Sequence, residues 1–162
     1  MAHPALHSLA RLLARALLAF AFLAVLPAGA QDSMQQLRQQ LAADKKQMVT
    51  ANMELTAQEA AAFWPVYDQY QKELQAINER LATMVSAYAK EYNAGSLTDE
   101  RAMSLMKEAM AADDAEGRAR QGLAARLTPI LPGRKLVRYL QIESKVRALI
   151  NYELAAEVPL VR

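Results

Sequence analysis

Between Phe63 and Tyr88 the chain reads FWPVYDQYQKELQAINERLATMVSAY, and its large apolar residues fall at Phe63, Tyr67, Tyr70, Leu74, Ile77, Leu81, Met84 and Tyr88. The steps alternate four and three throughout, which is a heptad seam on an α-helix; a strand, whose side chains alternate in twos, produces no such spacing. Asp68, Gln69, Gln71, Lys72, Glu73, Gln75, Asn78, Glu79 and Arg80 lie between the seam residues, so the apolar stripe is narrow and the other faces are wet.

The stretch also carries its own start and stop. Thr56 followed by Glu59 fits a capping box, with Leu55 placed to staple the turn before it. Asn93, Gly95 and Ser96 end the pattern. The predicted helix, 57–94, is about 57 Å long at 1.5 Å per residue, whereas a compact domain of about 130 residues is roughly 36 Å across. The expectation is an all-α, elongated, curved or hooked assembly of four helices. Its seam is to be completed by another helix, with a second copy of the chain as a natural source.

Upstream, Arg11 and Arg15 precede an uncharged apolar run from Ala16 to Leu26, followed by Pro27-Ala28-Gly29-Ala30. This is the pattern of an export signal, residues 1–30, cut before Gln31. The run has 11 residues, against the roughly 20 needed to span a bilayer, so no stable membrane insertion is expected after cleavage. The mature protein, 31–162, is then a single helical domain outside the cytoplasm. Two of the 19 basic residues, Arg11 and Arg15, leave with the signal, so 17 basic residues face 17 acidic ones. A balanced chain has no overall field to attract nucleic acid, and no nucleic-acid partner is expected.

Met34, Leu37, Leu41 and Met48 recur at helical spacing and predict a first helix over 32–49. Thr98, with Asp99 and Glu100 behind it, opens a third over 99–128, whose inward stripe of Ala102, Leu105, Ala109, Ala112, Ala119 and Leu123 is mostly small. Gly117 and Gly122 loosen its second half. After Pro129 and Pro132 a fourth helix is expected over 133–156, apolar at Leu136, Leu140, Val146, Leu149, Ile150 and Leu154. Asp114 with Arg118, Glu116 with Arg120 and Glu143 with Arg147 are spaced as acid-first pairs on one helix face.

The inventory of reactive side chains is short. Both histidines, His3 and His7, lie in the signal segment, and there is no cysteine. Histidine-based triads, thiol nucleophiles, disulfides and most zinc sites are therefore excluded from the mature chain, and no Gly-rich phosphate loop is present. An enzyme is not expected, nor a cofactor. Asp113, Asp114 and Glu116 read as a solvated helix face. Met103, Met106 and Met110, spaced three and four apart, have three readings: core filling, an adaptable surface for unlike partners, or thioether ligation of Cu(I).

With these pieces together, the chain resembles the Spy and CpxP group of periplasmic stress proteins, which is marked by two Leu-Thr-x-x-Gln motifs. Leu55-Thr56-Ala57-Gln58-Glu59 and Leu127-Thr128-Pro129-Ile130-Leu131 stand in their places, with Glu59 and Leu131 departing from the glutamine. The resemblance implies a cradle-shaped helical homodimer that holds unfolding proteins without ATP, or that restrains an envelope-stress sensor kinase. The zinc-linked ZraP branch is disfavoured by the missing histidines. Candidate client or partner contacts are Met103, Met106, Met110, Arg134, Arg138 and Lys145.

Overall fold

A computed structural model describes residues 28–161. Within that range the chain forms four helices and no strand: α1 Ala28–Met53, α2 Ala57–Asn93, α3 Asp99–Leu127 and α4 Gly133–Glu157. The expected signal, residues 1–30, falls outside the described residues as far as residue 27.

Helix α1 runs past its expected end at 49, to Met53. Val49 and Met53 lie one turn apart and are both fully buried, so ending the helix early would take Met53 out of the core. Thr50 and Asn52, which could have broken it, instead donate from their side chains to the carbonyls of Lys46 and Met48 at 2.8 and 2.7 Å. The chain then reverses at Glu54, whose φ of 49° is left-handed.

The capping box on α2 is complete. Thr56 Oγ1 accepts from the Glu59 N–H at 3.2 Å, and Glu59 Oε2 accepts from the Thr56 N–H at 2.7 Å. The helix passes through Pro65 without a break. At its far end Gly95 adopts a φ of 63°, which lets Ser96 N–H reach back to the Glu91 carbonyl at 3.0 Å. Thr98 caps α3 by accepting from Arg101 N–H at 3.2 Å.

Side-chain ties set the directions. α3 returns antiparallel along α2, joined by Arg101 to Glu91 near the connecting turn and by both Arg126 Nη atoms to the Glu73 carboxylate at the other end. α4 runs parallel to α2: Lys135 meets Glu59, Arg147 meets Asn78, and Tyr88 donates its hydroxyl to the Pro159 carbonyl at 2.7 Å. α1 lies antiparallel to α4, with Arg138 on the Asn52 carbonyl and Glu143 on Lys45.

The main core gathers Val49 and Met53 of α1, Phe63, Tyr67, Tyr70 and Leu74 of α2, Leu123 and Leu127 of α3, Leu131, and Tyr139 of α4. Fully burying a side chain of this size contributes about 1.5–3 kcal/mol. Of the eight seam residues, Phe63, Tyr67, Tyr70, Leu74 and Tyr88 are buried, and Ile77, Leu81 and Met84 are half-buried. The helices that complete the seam belong to this same chain. A helix along the seam is thus supplied within the chain, since α3 and α4 are themselves long enough to lie along α2, and burial of those five residues needs no second copy.

Both motif copies sit at turns and serve one core. Leu55, before α2, packs against the same cluster that buries Leu127 and Leu131 at the α3–α4 turn. Thr128 closes α3, its hydroxyl donating to the Ala124 carbonyl at 2.8 Å. Leu131, which stands where a glutamine would cap, is buried instead.

Candidate partner-binding surface

Helix α3 turns two different faces to its surroundings. Leu105, Leu123 and Leu127 are buried against the body, while Met103, Met106 and Met110 are 52, 45 and 60% exposed. At 100° per residue the three thioethers lie about 100–160° round the helix from Leu105. That disposes of core filling. The small residues Ala102, Ala109 and Ala112 take the half-buried positions on a helix that packs closely along α2.

Of the three cations predicted as contacts, Arg134 and Arg138 lie at the start of α4 near the α3–α4 turn and Lys145 at its middle, whereas the methionines lie in the first half of α3, toward the α2–α3 turn. Arg134, Arg138 and Lys145 are all exposed. They form no single patch with Met103, Met106 and Met110, which belong to the opposite end of α3. Arg138 is partly engaged in structure: it donates to the Asn52 carbonyl at 3.3 Å and lies 3.7 Å from the Glu54 carboxylate. Lys145 borders a shallow depression with Val137, Leu140, Gln141 and Ser144, all on one face of α4, and Val137 is half exposed.

Glu59 has a second partner beyond its cap. Lys135 Nζ lies 2.6 Å from the same Glu59 oxygen and also donates to the Glu54 carbonyl at 2.7 Å. The hydrogen bond from Lys135, followed by the one from Thr56, holds the Glu59 carboxyl below its usual value. The motif therefore ties the first turn of α4 to the α1–α2 turn.

The polar interior was not anticipated. Lys45 Nζ sits 2.8 Å from Glu143 Oε2 and 3.0 Å from Gln71 Oε1, and Lys45 and Glu143 are only 7 and 5% exposed. Gln71 Nε2 reaches Glu143 Oε1 at 3.4 Å, so three helices meet in one buried triad. Tyr67, Tyr70 and Tyr139 surround it; burial first, then the Glu143 charge, pushes each phenol well above its ordinary range, and all three stay neutral. The fully buried Tyr139 hydroxyl lies near Glu143 yet makes no hydrogen bond of ordinary geometry.

This overturns the expected pairing of Glu143 with Arg147. Arg147 bonds Glu116 of α3 at 2.6 Å instead, with both side chains largely buried, and so Glu116 is not the simple surface partner of Arg120 either. A surface pair four residues apart is worth a few tenths of a kcal/mol and yields readily to a partner across a packed interface. The signal was present in the sequence: Glu143 occupies the inward step between Tyr139 and Val146, and Lys45 the step before Val49.

Trp64 is half-buried beside Phe63 and Tyr67, with Lys46 Nζ 4.9 Å from its ring centroid. Among the described residues no cluster of His, Cys, Asp and Glu is arranged to hold a metal ion, and no helix is long and apolar enough to cross a membrane. Comparison with known proteins gave no matching family model, no matching curated protein and no matching solved structure. The class that the fold defines is an all-α protein of four helices around an aromatic core.

Proposed function

We propose that this chain is an exported, periplasmic binding protein of the chaperone type, which holds exposed apolar segments of unfolding proteins without turnover or cofactor. The observation that carries the reading is the methionine stripe. Three thioethers grouped by helical spacing at half exposure, on the outer face of a helix with a well-buried inner face, are the kind of apolar surface that marks an interaction site. Methionine is flexible and polarizable, and so adapts to unlike partners. Arg134 and Lys145 supply exposed positive charge elsewhere on the surface, which speeds encounter with acidic clients. The resemblance to the Spy and CpxP group agrees with this reading.

The test is suppression of aggregation of a chemically unfolding client. The parent is expected to suppress it at near-stoichiometric amounts, and a Met103→Ser, Met106→Ser, Met110→Ser variant to lose most of that suppression at unchanged melting temperature. No suppression by the parent at several-fold excess removes the proposal. The homodimer is part of the same proposal and uses surface outside the seam; a monomeric sedimentation profile for protein lacking residues 1–30 removes that part. Restraint of an envelope-stress sensor is the regulatory form of the reading, and deletion of the gene with unchanged stress output eliminates it.

The exposure of Met103, Met106 and Met110 also favours a second reading, Cu(I) ligation by thioether sulfur. It requires Cu(I) uptake by the parent that is lost when all three become leucine.

A further inference from the structure

We infer that Met103, Met106 and Met110 form a reversible oxidation site, at which two-electron oxidants such as hydrogen peroxide or hypochlorite convert the α3 stripe from apolar to polar. The part of this inference that concerns client capture rests on the binding function proposed above; the chemistry of the site does not.

Three observations carry it. First, the whole sequence contains no cysteine, so no thiol in the chain intercepts an oxidant and the thioethers are the readiest acceptors. Second, accessibility separates the methionines sharply. Met103, Met106 and Met110 are 52, 45 and 60% exposed, Met53 is fully buried, and Met48 and Met84 are half-buried, with Met48 packed on the core. Among these six methionines an oxidant therefore meets the α3 stripe first. Third, the stripe points away from the core. Leu105 and Leu123 hold the inner face of α3, and Asp99, Lys107 and Asp113, all exposed, surround the thioethers. The three sulfurs accordingly supply the large apolar area of that face, and polarising them changes the surface without opening a cavity or burying a dipole.

The step balances simply. The sulfur lone pair attacks one peroxide oxygen, the S–O bond forms as the O–O bond breaks, and the departing hydroxide takes up the remaining proton as water. Methionine is oxidised to its sulfoxide and peroxide is reduced. Methionine sulfoxide reductases reverse the change. A face that bound apolar segments then presents three S=O dipoles, each of which must be desolvated before an apolar client can dock.

The experiment treats the full folded chain with hydrogen peroxide and maps oxidation by peptide mass spectrometry, following the gain of about 16 Da per sulfoxide. Sulfoxide is expected at Met103, Met106 and Met110 at least about tenfold faster than at Met53, and ahead of Met48 and Met84, with an unchanged melting temperature. Client suppression should weaken by about tenfold and recover on treatment with the reductases. In a Met103→Leu, Met106→Leu, Met110→Leu variant, whose stripe has no sulfur to oxidise, whatever suppression is measured should be the same with and without peroxide. Equal oxidation rates at Met48, Met53, Met84, Met103, Met106 and Met110, or a melting temperature that falls as the three α3 sulfoxides form, overturns the oxidation site. Suppression that persists with the stripe fully oxidised overturns its coupling to binding. Selective oxidation in a protein that never captured a client defeats the binding function and leaves the oxidation site standing.

Discussion

The two ends of the α2–α3 hairpin are built on opposite principles. Toward Phe63, α2 meets three other helices, and its rings are enclosed: Phe63 and Tyr139 pack edge to face at 5.0 Å, and Leu123 and Leu127 are fully buried. Toward Tyr88 the buried set shrinks to Ala82, Tyr88 and Leu105, alanines take the half-buried positions of α3, and its large apolar residues turn outward. One end spends its apolar residues on stability and the other leaves them on the surface. The same helix pair thus separates the residues that hold the fold together from the exposed face that we propose meets partners.

Substitutions should expose that division, the enclosed end giving the largest effects. Phe63→Ala is expected to cost about 3–5 kcal/mol in urea unfolding, and Leu105→Ala nearer 2 kcal/mol. Equal costs would break the distinction between the ends. Glu143→Leu leaves Lys45 buried without its counter-charge and should cost about 3–5 kcal/mol, whereas Lys45→Met with Glu143→Leu together should return most of it. A double variant as unstable as the single would mean that shape rather than charge pairing matters at that point.

Smaller effects sharpen the picture along α3. A methyl group added at Gly122 meets nothing within 4 Å, so Gly122→Ala should stabilise by up to about 1 kcal/mol, read as a higher melting temperature. Glu73→Gln should lose less than about 1 kcal/mol at neutral pH. Its carboxyl is held below the ordinary 4.5, first by the hydrogen bond from Arg126. The stability it adds is therefore present above that ordinary value and fades as pH falls through the lowered native one, so the variant should show a flatter acid limb in its melting profile. Least of all, Met106→Ser should move stability by under about 0.5 kcal/mol, since its side chain packs into no core.

Much of the fold was legible because it is written locally. The heptad steps from Phe63 to Tyr88, the Thr56 and Glu59 box and the break at Asn93 to Ser96 placed α2 within a residue of its observed limits. Helix α1, Ala28–Met53, extends four residues beyond the expected 32–49 at each end, and the buried site for Met53 explains the added turn at its C-terminus. In α4, Tyr139 escaped notice although it is a fully buried core ring. Of the candidate surface, the methionine spacing was visible but its direction was not. Periodicity shows that a stripe exists; where a helix has both a small-residue stripe and a methionine stripe, it does not say which one faces inward.

Hydrogen bonding within a helix and the spacing of apolar residues depend on neighbours a few positions away, so the four helices and their order are legible in the chain alone. That α3 and α4 of the same chain lie along the seam, that Lys45 finds Glu143 across 98 positions, and that Met103, Met106 and Met110 point outward emerges only once the helices are packed. Those outcomes depend on how whole helices approach one another: alanines take the half-buried positions of α3 where it packs closely along α2, and the antiparallel lie of α1 on α4 brings two distant charges together.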